Sequence, residues 1–218
     1  MFANLANPVN LERWAANCSS TSIRDYEMSL NITPNYDSDG VAKQFDDLGI
    51  GEWNRLLETP VDEVSLYVHT HYLKEQIQPG SRVLEIGAGA GRFTQVLANL
   101  GARILVADIS QVQLDLNQQH AHQYGFAHAI EDWQQADICD LGRFESGSFD
   151  SVVAYGGPLS YVLDRRDVAL QECIRVLKRH GSLLFSVMSL WGSAHRRLNG
   201  VLGIPVETNQ KITTTGDI

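Results

Sequence analysis

The sequence predicts an α/β protein with a doubly wound, mainly parallel sheet, and three consecutive segments indicate it. Residues 83–86 form an apolar run interrupted by one acid, and they lead directly into three glycines at alternate positions. Apolar residues then recur at helical spacing, and residues 103–108 form a second apolar run that ends in Asp108. This succession is typical of a strand, a tight turn, a helix and a second strand parallel to the first.

The glycine turn indicates a ligand that lies almost against the backbone, at the N-terminus of the following helix. Its pattern is G-x-G-x-G, whereas a dinucleotide fingerprint reads G-x-G-x-x-G and would require a glycine in place of Arg92. Glu85 stands two residues before the first glycine, where its carboxylate would disfavour a pyrophosphate. We therefore expect a ligand with a cationic group such as an ammonium.

The stretch from Val83 to Thr94 resembles the first motif of the class I S-adenosylmethionine-dependent methyltransferases, an acid followed by G-x-G-x-G after the first strand. The resemblance implies a Rossmann-like methyltransferase sheet and S-adenosylmethionine as the cofactor. It also implies that the motif itself binds the cofactor. The residues expected to do so are Glu85, Gly87, Ala88, Gly89 and Gly91.

Asp108 is predicted to lie at the carboxyl end of the second strand, followed by Ile109. A carboxylate there can accept hydrogen bonds from both hydroxyls of a ribose, as it does in NAD enzymes. Asp108 therefore indicates an adenosine-containing cofactor without identifying which one. The alternative is that Asp108 caps the next helix, although Ser110 is equally placed to do so.

The resemblance extends over residues 80–190 with its landmarks in order. It implies that Asp137 and Ile138 contact the adenine, with the acid on the amino group, and that Tyr155 and Gly156, after the next strand, approach the methionine part of the cofactor. We also predict a helix with Leu170, Cys173, Ile174 and Leu177 on one face. A turn over 178–181 is expected to lead into a strand over 183–187.

The family sheet has seven strands, and the residues after Val187 contain no second pair of apolar strands. We therefore expect the sheet to lack the last two strands and to expose an edge, with the natural chain continuing past Ile218. An exposed edge favours pairing or cover. Either residues 205–218 or a second copy of the chain, as a homo-oligomer, would supply it.

Three segments are predicted along the chain. Residues 1–79 form an N-terminal segment and helical lid, residues 80–190 the cofactor-binding core, and residues 191–218 a C-terminal helix and tail. Within the lid, Trp53 and Arg55 either contact the acceptor or the cofactor carboxylate, or pack the lid against the core.

Composition and charge favour a soluble, cytoplasmic protein that acts on a small molecule. The formal net charge of −9 disfavours a nucleic-acid substrate, because phosphate backbones attract clustered Lys and Arg. No apolar run approaches the length of a membrane span, and the N-terminus lacks the features of a signal peptide. The three cysteines are odd in number and unpaired by spacing, which disfavours disulfides and zinc.

No residue is identified as the base that would activate an acceptor. Tyr161 and His195 are candidates, because they follow the fourth and fifth predicted strands. His180 is interpreted as structural, since ligands of parallel sheets bind at carboxyl ends. The other histidines fall in lid or helix segments and form no metal-ligand pattern.

Three functions compete at this point. The first is methyl transfer from S-adenosylmethionine to a small-molecule acceptor. The second is a regulatory protein that binds the cofactor without catalysis, which the sequence does not exclude because the acceptor site is not identified. The third is an NAD-dependent oxidoreductase domain, disfavoured by Glu85 and Arg92.

Overall fold

The computed structural model describes residues 35–189 and Gly192 of the 218-residue chain. The bounds of its helices are α1 Ser38–Leu48, α2 Gly51–Asn54, α3 Pro60–Gln76, α4 Arg92–Asn99, α5 Gln111–Gln123, α6 Pro158–Tyr161 and α7 Arg166–Val176. The bounds of its strands are β1 Arg82–Ile86, β2 Arg103–Asp108, β3 Ile130–Gln135, β4 Phe149–Ala154 and β5 Leu177–Phe185. Short 3-10 turns occupy Arg55–Leu57, Ala127–Ala129 and Leu163–Arg165.

The five strands form one sheet in the order β3-β2-β1-β4-β5, and each neighbouring pair is parallel. The chain first builds outward from β1 to β3 and then returns to place β4 on the other side of β1. A ligand crevice forms where the strand order reverses in this way, outside the carboxyl ends of the two central strands. The predicted doubly wound parallel sheet is confirmed, and the strands next to the crevice are β1 and β4.

Alternating side chains of β1 enter two separate apolar cores, because successive residues of a strand point to opposite faces. Val83 belongs to the core that contains Leu73 of α3 and Leu97 of α4. Leu84 belongs to the core that contains Cys173 of α7. Helices therefore cover both faces of the sheet.

The structure corrects the predicted turn over 178–181. These residues lie within β5, whose pairing with β4 shifts register between Phe149 and Ser151. His180 adopts a positive φ of 68° at this irregularity. The extra chain is absorbed as a bulge instead of a turn, which the Lys-Arg-His-Gly sequence does not distinguish.

Two helical faces also differ from the prediction. Ile174, expected on the buried face of α7, is 62% exposed, whereas Cys173 is fully buried. Apolar residues at helical spacing over 64–73 also predict an amphipathic helix there, but on α3 only Leu73 of them is buried and most of the others are exposed. These exposed residues are Val64, Tyr67, Val68 and Tyr72.

Several sequence predictions fall outside the described residues. These are the helix and tail over 191–218, the candidate base His195, the first 34 residues of the N-terminal segment and Cys18. Cys139 and Cys173 are buried free thiols. No helix in the described part of the chain combines the length and hydropathy needed to cross a bilayer.

Candidate functional site

The glycine turn joins β1 to α4 and adopts a backbone that side chains rarely permit. Gly87, Gly89 and Gly91 have φ values of 71°, 53° and 101°. The amide groups of Gly87 and Ala88 both donate to the carbonyl oxygen of Ala107 at the end of β2, at 2.9 and 3.1 Å. The turn is thereby fixed to the neighbouring strand at the carboxyl edge of the sheet.

Asp108 ties the same turn to the next helix. Its carboxylate accepts from the amide of Gly89 and from the amide of Ser110, each at 2.8 Å. The N-cap of α5 is Ser110, whose hydroxyl oxygen accepts from the amide of Gln113. The side-chain cap of α5 is therefore Ser110 and not Asp108, which was the alternative interpretation of Asp108.

Burial raises the pKa of Asp108 to about 6, against the opposing effect of the two amide donors. Its carboxylate nevertheless lines an open cleft. Each carboxylate oxygen has two lone pairs, so the two amide bonds leave acceptor capacity toward the cleft.

This main cleft lies between the carboxyl ends of β1, β2 and β4 and the N-terminal helices. Its empty space is about 570 Å³, a volume that includes the solvent at its open mouth. Among the predicted site residues its wall contains Gly87, Gly89, Asp108, Ile109, Ile138, Tyr155, Gly156 and Tyr161. Residues missed by the sequence complete it, namely Tyr36, Val41, Phe45, Glu52, Ile86, Ala136, Pro158 and Val162.

Glu85, Ala88, Gly91 and Asp137 are not part of the wall. Asp137 accepts from the amide of Cys139 at 2.8 Å. Its carboxylate also lies beside the Tyr36 hydroxyl, and burial together with this negative charge raises the pKa of Tyr36 far above its ordinary value. The adenine contact expected of Asp137 stays a prediction.

Glu85 lies beneath the glycine turn, and only 2% of the residue is exposed. Its carboxyl group is hydrogen-bonded to Thr94, and its Oε2 atom has no partner in the described part of the chain. Burial raises the pKa of Glu85 to about 8, the bond to Thr94 opposes the rise, and the charge of Asp108 adds to it. The expected contact between Glu85 and a ligand ammonium stays a prediction, because the carboxyl group lies behind the turn in this structure.

Two side chains of α5 support the turn from below. Asn117 donates to the carbonyl oxygen of Gly89 at 3.2 Å and to the hydroxyl of Thr94 at 2.9 Å. His120 contacts the carbonyl oxygen of Ala90 at 2.7 Å through Nδ1, which must donate because a carbonyl only accepts. Neither residue is predicted from the sequence, because every residue has a backbone carbonyl and a bond to one therefore leaves no motif.

The segment before β1 contributes Tyr36, Val41, Phe45 and Glu52 to the cleft wall, and its role as a lid stays a prediction. Gln113 of α5 holds α1 in place by donating to the carbonyl oxygens of Phe45 and Gly49, each at 2.9 Å. The Phe45 ring packs edge-on against Tyr161, with ring centroids 5.2 Å apart.

Trp53 packs the lid against the core. The Arg92 guanidinium lies 3.7 Å from the centroid of the Trp53 ring. The same ring also packs against the rings of His120 and Tyr124. Arg92, which stands where a dinucleotide fingerprint requires glycine, therefore serves the lid interface.

Arg55 and Glu52 form a two-point ion pair at the mouth of the cleft, with nitrogen–oxygen distances of 2.9 and 2.6 Å. Glu52 lies over Gly89, since a Cβ atom added at Gly89 would be 3.0 Å from Glu52 Cγ. Arg55 lies over Gly156, with 3.3 Å between its Nη2 atom and an added Cβ. The mouth thus presents one cation and one anion to any ligand that lies on the glycines.

The cleft fits an adenosine joined to an amino acid. Ile109, Ala136, Ile138 and Val162 form apolar parts of the wall, and Asp108 provides acceptors. Glu52 lies against Gly89, and its partner Arg55 lies against Gly156. Within residues 35–189, no cluster of three or more His, Cys, Asp and Glu side chains is arranged to hold a metal ion.

Comparisons with known proteins agree with this geometry. A family model described as a methyltransferase domain matches residues 84–185. The ubiquinone biosynthesis O-methyltransferase of Hahella chejuensis is 30% identical over 150 residues, which cover 68% of this chain and 60% of that enzyme. The chain thus spans less than two thirds of the length of this curated relative.

Two solved structures share the fold. The 4+2 cyclase SpnF has a TM-score of 0.60 at 22% identity, over 69% of this chain and 60% of the cyclase. Phosphoethanolamine N-methyltransferase 1 of Haemonchus contortus, solved with phosphoethanolamine and S-adenosylhomocysteine, has a TM-score of 0.57 at 24% identity, over 70% of this chain and 32% of that enzyme.

Proposed function

We propose that this chain, whose residues 84–185 match a methyltransferase domain, is a class I S-adenosylmethionine-dependent methyltransferase that transfers a methyl group from that cofactor to a small-molecule acceptor. The observation that supports this most directly is the main cleft, in which Gly87 and Gly89, both with positive φ, meet Asp108 beneath the helices that precede β1. When bound there, S-adenosylmethionine supplies an activated methyl group on a sulfonium.

The residues of the cleft would hold the cofactor by complementary chemistry. Asp108 would accept from the ribose hydroxyls, and Ile109, Ala136 and Ile138 would face the adenine. Gly87 and Gly89 would allow close approach of the amino-acid part. Arg55 would exchange part of its bonding with Glu52 for the cofactor carboxylate, since a guanidinium binds carboxylates in two-point geometry.

The chain's main contribution to the reaction would be alignment in a dry site. Correct positioning of two reactants lowers a barrier by about 7–11 kcal/mol. Tyr155, Gly156 and Tyr161 line the part of the cleft where the acceptor would approach.

Location and partners complete the proposal. We place the protein in the cytoplasm as a homo-oligomer in which a second copy covers the β5 edge. A net charge of −9 supports a small-molecule acceptor over a nucleic acid. We also propose that residues 80–190 form the cofactor-binding core between an N-terminal and a C-terminal segment.

Calorimetry with S-adenosylhomocysteine and with NAD tests the proposed cofactor. We expect micromolar binding of the first and no measurable binding of the second, because the Glu52 side chain lies over Gly89 and its carboxylate disfavours a pyrophosphate there. Binding of NAD alone would support the oxidoreductase reading instead. Binding of S-adenosylhomocysteine without methyl transfer to any acceptor in a cell extract would favour the regulatory reading.

Asp108→Ala is expected to weaken S-adenosylhomocysteine binding by about 1.5–3 kcal/mol, or roughly 10- to 150-fold, through the loss of hydrogen bonds to a charged acceptor. The measurement is the dissociation constant by calorimetry. Asp115→Ala is the matched control, since it removes a carboxylate from the exposed side of α5. Equal affinities of the two variants would contradict the ribose contact.

A further inference from the structure

A second cavity adjoins the main cleft at Gly156, which lines both. It encloses about 490 Å³ counted to its open mouth. Its wall combines Arg55 after α2, Ser65 and His69 of α3, Phe93 of α4 and residues 186–188 after β5. The cavity thus contains polar and aromatic groups from four separate parts of the fold.

His69 is held in one orientation in this wall. Its Nδ1 atom lies 2.6 Å from the carbonyl oxygen of Ser65, one helical turn earlier. Its ring packs against Phe93 and edge-on against Tyr155, with centroid distances of 5.3 and 4.6 Å. Three contacts, from α3, from α4 and from the residue after β4, therefore fix both the position and the plane of the imidazole.

These contacts also fix the tautomer of the neutral ring. A carbonyl oxygen only accepts hydrogen bonds, so the Nδ1 atom carries the proton and the Nε2 atom keeps a lone pair. The Nε2 atom makes no hydrogen bond within the described part of the chain. His69 thus presents a proton acceptor beside the Gly156 edge of the main cleft.

Other titratable groups around His69 do not compete for this role. Tyr155 faces it from just after β4, and burial raises the pKa of that phenol to about 12, so it stays neutral. Arg55 shares the cavity wall and is paired with Glu52.

Resting on the methyl transfer proposed above, we infer that the second cavity binds an acceptor with a hydroxyl group and that His69 Nε2 removes its proton. The acceptor O–H bond breaks, and the proton moves to Nε2. The oxygen keeps the electron pair and forms the new bond to the methyl carbon of S-adenosylmethionine. The sulfur retains the pair of the broken C–S bond and leaves as a neutral thioether, so the positive charge passes from sulfur to the imidazolium.

The assignment follows from what each acceptor requires. A neutral hydroxyl is a weak nucleophile, and a positioned base accelerates its reaction by roughly 100- to 10,000-fold. An imidazole held in place in the wall of a cavity beside the main cleft, with Nε2 free of hydrogen bonds to the described residues, meets that requirement.

Chemical modification tests the geometry without any turnover. Diethyl pyrocarbonate acylates the unprotonated nitrogen of imidazole, and peptide mass spectrometry locates the product. We expect His69 to react in the wild-type protein and in His71→Ala, and to be slowed by catechol together with S-adenosylhomocysteine. Resistance of His69, or a reaction that catechol does not slow, would contradict the inference.

Turnover with two probe acceptors tests the chemistry. Catechol provides hydroxyls and benzylamine provides an amine. We expect the wild-type protein to methylate catechol in preference, and His69→Ala to lose at least ~100-fold of that rate, with partial rescue by added imidazole. The control His71→Ala alters an exposed histidine two residues along α3, beside Glu75, and should stay within twofold of the wild type.

The two proposals fail in different ways. If the wild-type protein does not bind S-adenosylhomocysteine, the proposed function itself is wrong. Two results would overturn only the role of His69 while S-adenosylhomocysteine still binds. One is a His69→Ala variant that methylates catechol at the wild-type rate, and the other is a wild-type protein that methylates benzylamine alone.

Discussion

Gly89→Leu is expected to abolish cofactor binding. The φ of Gly89 is 53°, and an added Cβ would lie 3.0 Å from Cγ of Glu52, which lines the cleft with it. A leucine would therefore fill the space between the turn and the lid, where we propose that the amino-acid part of the cofactor lies. Calorimetry with S-adenosylhomocysteine should give no measurable heat of binding.

Gly125→Leu separates this crowding from backbone strain. Gly125 has a φ of 80°, and nothing lies within 4 Å of an added Cβ. Both variants place leucine in a left-handed backbone, which costs roughly 1–2 kcal/mol, so their thermal midpoints should fall by similar amounts. Only Gly89→Leu should lose affinity, and a Gly89→Leu protein that binds like Gly125→Leu would show that the cofactor lies elsewhere.

The part of the site that sequence predicts is the part determined within one β-turn-α-β unit. Gly87, Gly89 and Asp108 lie within about two dozen residues of one another, and their spacing is sufficient to place them at one edge of the sheet. Apolar periodicity likewise predicts β1, α4 and β2, because each has a buried face.

The parts that sequence does not predict depend on contacts between distant segments. His69 and His120 were interpreted only as helix residues, since nothing in their neighbourhood indicates which carbonyl or aromatic ring they meet. Asn117 was likewise not predicted to support the site, because its acceptor at Gly89 is a backbone carbonyl. The exposure of Ile174 arises for a related reason, since an apolar side chain on a helix is buried only where another element covers it.

The lid is intermediate between these cases. The sequence identifies helices before β1, and the structure places Tyr36, Phe45 and Glu52 of that segment in the cleft wall. Their roles follow from the packing of α1 against α5, which Gln113 secures through two backbone carbonyls. Any residue can supply a backbone carbonyl as the acceptor, so these hydrogen bonds leave no sequence pattern. The contacts of the lid are therefore not predicted from the sequence.

Glu85→Gln is expected to stabilise the unliganded protein at pH 8 and to leave it nearly unchanged at pH 5. Burial raises the pKa of Glu85 from its ordinary value to about 8, so the folded state binds a proton that the unfolded state has released. Between pH 4.5 and 8 the unfolded chain binds fewer protons, and the free energy of unfolding therefore falls as pH rises, by up to about 1.4 kcal/mol per pH unit. A neutral glutamine lacks this dependence.

Thermal and denaturant unfolding of the two proteins from pH 5 to pH 8.5 measures the effect. The difference in unfolding free energy should grow with pH and level off near pH 8. Asp108, whose pKa is also raised, contributes a similar loss below pH 6 in both proteins and largely cancels, apart from its electrostatic coupling to Glu85. Parallel pH profiles would mean that Glu85 is ionised in the folded state.

The same protonation state decides how Glu85 serves the cofactor. A carboxylate that meets the cofactor ammonium must first lose its proton, so at pH 7 binding would release close to one proton. A carboxyl group that only supports the turn through Thr94 keeps its proton, and binding would release none from Glu85. Calorimetry in two buffers of different ionisation enthalpy counts these protons, with Glu85→Gln as the reference. Release in the wild-type protein alone would establish the contact that the acid before the glycines predicts; equal release in both would assign Glu85 to the turn.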